Sequence, residues 1–68
     1  MIYAVVNIRL AEKEGFVTIL HRTVGDKMVL NENELAKIGD NIDEVARKLG
    51  GVTMSYNELQ EYIKQQYE

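Results

Sequence analysis

The chain reads as an α+β domain: a three-stranded antiparallel β-meander followed by two to three short helices, with a possible short fourth strand. Three observations carry this reading. The first 31 residues alternate apolar and polar side chains with period two and are rich in β-branched types. Gly25-Asp26 interrupts that run with a two-residue loop whose leading glycine can take the positive φ of a tight hairpin. Beyond Asn31 the apolar spacing changes to that of a helix.

Taken in order, residues 2–10, 16–24 and 27–31 are the expected strands. The Gly25-Asp26 loop pairs Val24 with Lys27, Thr23 with Met28 and His21 with Leu30. A polar loop, Glu12-Lys13-Glu14-Gly15, pairs Ala11 with Phe16. The two registers agree on the faces of the sheet. Ile2, Ala4, Val6, Met28 and Leu30 share one face with His21, while Tyr3, Val5, Leu20, Val24 and Val29 share the other. Leu35 and Ile38 suit a helical turn closed by Gly39. Asp40 or Asn41 caps a helix in which Ile42, Val45, Ala46 and Leu49 form one stripe and Asp43/Arg47 and Glu44/Lys48 form acid-first pairs. Gly50-Gly51 ends it, and residues 52–54 are extended. Ser55 and Glu58 make a capping box for a last helix carrying Leu59, Tyr62, Ile63 and Tyr67.

Sixty-eight residues make a single small domain, residues 1–68, and exclude repeat arrays and two-domain enzymes. With 46% hydrophobic residues and no proline, the composition is that of a folded chain. The absence of cysteine excludes thiolate metal sites and thiol nucleophiles and suits a reducing cytoplasm. No apolar run reaches the length of a membrane span, and the first ten residues lack a signal peptide's basic start, so no membrane association is expected. Net charge is −3, divided as +1 over residues 1–31 and −4 over residues 32–68. Neither half has the basic excess that binding to phosphates demands, which argues against nucleic acid as a partner.

The residues that could carry chemistry do not assemble into a site. His21 is the single histidine, without a second metal ligand or a nucleophile at motif spacing, and reads as a structural histidine bonded to backbone at the sheet margin. Asp40, Asp43 and Glu44 lack the register of a calcium loop, and the glycines never approach a phosphate-binding spacing. No catalytic residue, cofactor or metal is expected. Ala46, Leu49-Gly50, Ser55-Tyr56, Leu59 and Ile63 locally resemble a helix-turn-helix, the alternative reading being a DNA-binding regulator. Its second helix, however, carries Glu58, Glu61 and Glu68 against Lys64. The leading expectation is a non-enzymatic interaction module, a homodimer or a regulatory or inhibitory binder of another protein, of the size that phages and mobile elements encode. Its expected interface comprises Tyr3, Val5, Leu20, Val24 and Val29, an apolar second sheet face, with Tyr62 and Tyr67 of the last helix.

Overall fold

The computed structural model describes residues 1–67. Gly25 adopts φ +61°, and the loop it opens joins strand β2 (Thr23–Val24) to β3 (Lys27–Asn31). Val24 faces Lys27 and Thr23 faces Met28, as the loop length dictates. Strand β1 (Ile2–Asn7) pairs antiparallel with β3, setting Ala4 opposite Leu30 and Val6 opposite Met28. On its other side β1 pairs with β4 (Val52–Ser55), Tyr3 opposite Met54 and Val5 opposite Val52. The order across the sheet is β2-β3-β1-β4. The α+β class therefore holds, with the extended stretch after the double glycine as a full fourth strand.

The meander does not. Residues 8–10 were expected to continue β1, but Asn7 ends the strand: its side-chain oxygen accepts the Leu10 N–H at 3.2 Å and caps helix α1 (Ile8–Lys13). Ile8 and Leu10 alternate as strand residues would, yet the buried member of this helix is Ala11. Residues 16–20 form no strand either. Both edges of β1 are occupied by β3 and β4, so this β-branched stretch has no place beside it and closes instead into a 3-10 turn over Thr18–Leu20. His21 consequently lies beyond the two-residue β2 and does not share a pair or a face with Val6, whose partner is Met28.

Helices α2 (Glu32–Ala36) and α3 (Ile42–Lys48) follow β3, capped by Asn31 and Asn41. With α1 they cover the even-numbered face of β1, where Ala4, Val6, Met28 and Leu30 pack against Ala11, Leu35, Val45, Ala46 and Leu49. The other face is closed by helix α4 (Tyr56–Gln66), whose Leu59 and Ile63 bury Val5 and Val24. A face expected to need a second chain is thus covered within the molecule. The chain reaches it because β4 runs along the sheet edge between α3 and α4, entering from one layer and leaving into the other. The same strand removes the helix-turn-helix: Ala46 and Leu49 pack under one face of the sheet, Leu59 and Ile63 over the other. Gly51 makes the passage possible, since a Cβ there would stand 1.9 Å from the Val5 carbonyl oxygen. Asp43 accepts a hydrogen bond from the Thr53 hydroxyl, and among the described residues neither Asp43 with Arg47 nor Glu44 with Lys48 closes an ion pair.

Candidate interaction surface

The chain leaves α1 through Gly15 and anchors Phe16, whose N–H donates to the Ala11 carbonyl at 3.1 Å and whose ring packs against the even-face core. The next residues turn away from that anchor. Leu20 N–H donates to Val17 C=O at 3.0 Å and His21 N–H to Thr18 C=O at 3.1 Å, closing the 3-10 turn. The turn directs aliphatic side chains to solvent: Ile19 is 88% exposed, Leu20 76% and Val17 51%. Three large aliphatics are thus exposed within one short segment, a concentration that singly scattered apolar residues do not give.

His21 ties this turn to the body. Its Nδ1 lies 2.8 Å from the Val17 carbonyl oxygen, and its Nε2 meets the Glu34 carboxylate on α2. The other Glu34 oxygen accepts the Asn31 N–H at 3.0 Å while Asn31 Oδ1 accepts the Glu34 N–H at 2.9 Å, a capping box that fixes the carboxylate. The Phe16 ring meets the imidazole edge-on, at 5.8 Å between centroids and 87° between planes. Both hydrogen-bond partners of the imidazole are acceptors, so a neutral ring, having one N–H, can satisfy only one of them, while the imidazolium satisfies both. Burial of the ring is the largest single influence on its pKa and acts against the charge. The Val17 carbonyl, the Glu34 hydrogen bond and the Glu34 charge together outweigh it and raise the pKa above 6.5.

Beside the turn lies an open groove of about 680 Å³ bounded by Phe16, Val17, Leu20, His21, Glu34 and Ile38, with Glu14 and Lys37 also along its wall. Its walls combine apolar side chains with the His21–Glu34 pair, a second carboxylate, Glu14, and one lysine, Lys37.

The interface expected from sequence is dispersed. Val5 and Val24 are buried beneath α4, and Tyr3, Val29 and Tyr62 pack around them, so these five belong to a core. Leu20 lies in the exposed turn, and Tyr67, 69% exposed, caps the C-terminal end of α4. Val17, Ile19 and the His21–Glu34 pair were missed, because the β-branched run 16–20 was given a place in the sheet. Its signal was available: Gly15 in front, and an apolar run longer than a half-buried strand alternates. The structural histidine was read correctly in kind, including its bond to a backbone carbonyl, but placed on the wrong element.

Among the described residues no group of three or more histidine, aspartate or glutamate side chains is placed to hold a metal ion. Among the same residues no helix is long and apolar enough to cross a membrane. No protein-family model, no curated protein and no solved structure matches the chain.

Proposed function

We propose that the protein is a non-enzymatic interaction module of the cytoplasm, a regulatory or inhibitory binder that docks on another protein through residues 17–20 and the adjoining groove. The observation that carries this is the exposure of Ile19 and Leu20 in a chain whose other large aliphatics are mostly packed into two cores. Burying one such side chain fully contributes about 1.5–3 kcal/mol, so three together supply the apolar centre of a small interface. The case for a homodimer through the sheet loses its basis once α4 occupies that face, which favours a different protein as partner.

The test uses the double variant Ile19→Ser with Leu20→Ser. Neither side chain supports a core, so the melting temperature should stay within about 2 °C of wild type, as for surface changes of about 0.5 kcal/mol. Affinity capture from native extract should recover one protein in stoichiometric amount with the wild type and lose it with the variant, with and without nuclease. Equal recovery by both proteins rules out the turn as the docking surface.

A further inference from the structure

A second open surface lies at the opposite edge of the sheet, on β4. Along β1 the backbone groups alternate in direction: Ile2 N–H goes to Glu32 beside β3, at 3.2 Å, and Asn7 N–H to Leu49 beside β4, at 2.9 Å. Odd-numbered β1 residues therefore bond to β4, and Tyr3 and Val5 engage Met54 and Val52. The N–H and C=O of Thr53 are left pointing out of the sheet, while Ser55 N–H, also outward, is occupied by Glu58 at 2.9 Å. Neither proline nor lysine, two of the residues that usually blunt an edge, occurs in Val52–Ser55.

Its flanks carry a chemical preference. On the α4 side a groove of about 470 Å³ runs beside the edge, floored by Val52, Met54 and Tyr62 and walled by Glu58 and Glu61. It shares those three floor residues with a second hollow of about 290 Å³ that reaches Gly50, Gly51 and Lys27. Val52 is 59% exposed there. On the α3 side the edge presents Thr53 bonded to Asp43. An added strand would alternate its side chains between these flanks. One set would enter an apolar groove, and the other would stand over a carboxylate.

We infer that the β4 edge takes an extended peptide segment of alternating aliphatic and basic residues from another protein, added to the sheet as a fifth strand. The main chain pairs with Thr53, aliphatic side chains settle on Val52, Met54 and Tyr62, and cationic ones meet Asp43, with flanking cations at Glu58 and Glu61. A second copy fits this edge poorly. Twofold pairing of β4 with itself would bring both copies' Glu58 and Glu61 to one seam, and like charges there oppose association.

The probe is an acetylated, amidated peptide of alternating lysine and valine, about seven residues long so as to span β4 and its flanks. Its glutamate-valine counterpart is the control. Amide shifts should move at Val52–Ser55 and at Tyr62, not at residues 17–20, and the lysine peptide should bind at least about tenfold tighter than the control. Thr53→Pro deletes the outward N–H while sparing the β1 ladder and should abolish binding. Glu61→Lys lies on an exposed helix position, leaves the fold intact and should weaken binding about fivefold. Equal affinity for both peptides, or no shifts at millimolar peptide, overturns the proposal. So does a wild type that sediments as a dimer and becomes monomeric with Thr53→Pro, since the occupant would then be a second copy.

Discussion

A single imidazole decides how firmly the apolar turn is held. His21 bridges the Val17 carbonyl and the Glu34 carboxylate, and only its charged form donates to both. Its folded-state pKa is raised, so the stabilisation is fully present below the unfolded-state value of 6.5 and disappears as pH rises through the higher folded-state value. The melting temperature should accordingly fall as pH rises above 6.5, and Glu34→Gln, whose amide oxygen still serves the Asn31 cap, should flatten that dependence and lower the His21 pKa followed by NMR. A pKa unchanged by Glu34→Gln would show that the carboxylate does not hold the ring. Glycines give a contrast at the same scale. Gly25→Ala meets open space and pays only for its positive φ, about 1 kcal/mol, whereas Gly51→Ala drives a methyl into the Val5 carbonyl and should cost about 3 kcal/mol or more in urea unfolding. The turn glycine was legible from its position between two alternating runs. The demand at Gly51 was not, because a close approach to residue 5 is a fact of tertiary structure.

At the scale of elements, the cap of α4 was legible in local spacing. Ser55 and Glu58 stand at capping-box spacing, and both bonds form, at 3.2 Å from Glu58 N–H to Ser55 Oγ and 2.9 Å from Ser55 N–H to Glu58 Oε1. Ser55→Ala should therefore lower stability by about 1 kcal/mol in urea unfolding. A null effect would mean that α4 is held by Leu59 and Ile63 alone. The stripe Val45, Ala46 and Leu49 and the alternation of Tyr3 to Val6 were equally plain, since period and burial agree there. The errors arose where two periods fit one stretch. Ile8, Leu10 and Ala11 satisfy a strand or a helix, and Asn7 was the discriminating residue because its side chain can end the one and begin the other. For residues 16–20, β-propensity was real but there was no neighbouring strand to reward it. The expected surface failed for a similar reason: which face a helix covers depends on where β4 delivers the chain, and no spacing in the sequence records that.

In the whole molecule, one sheet separates two apolar layers, and neither layer is complete without it. Val5 belongs to the layer under α4, so Val5→Glu buries an unpaired carboxylate and should unfold the protein instead of releasing a folded monomer. Circular dichroism at neutral pH reads this directly. Leu59→Ala should cost about 2–5 kcal/mol and lower the protection of β1 amides on both faces together. Independent loss of α4 with the even face intact would mean that the two layers do not cooperate. Strand β1 stands at the centre of this arrangement, paired on one side with residues 27–31 and on the other with residues 52–55. During synthesis it precedes both of its neighbours and is the last to be enclosed, because its second neighbour is made only after α3. Until then one edge of a β-prone segment has β3 beside it and the other has no partner, so completion of the sheet is postponed until the codons for β4 have been read.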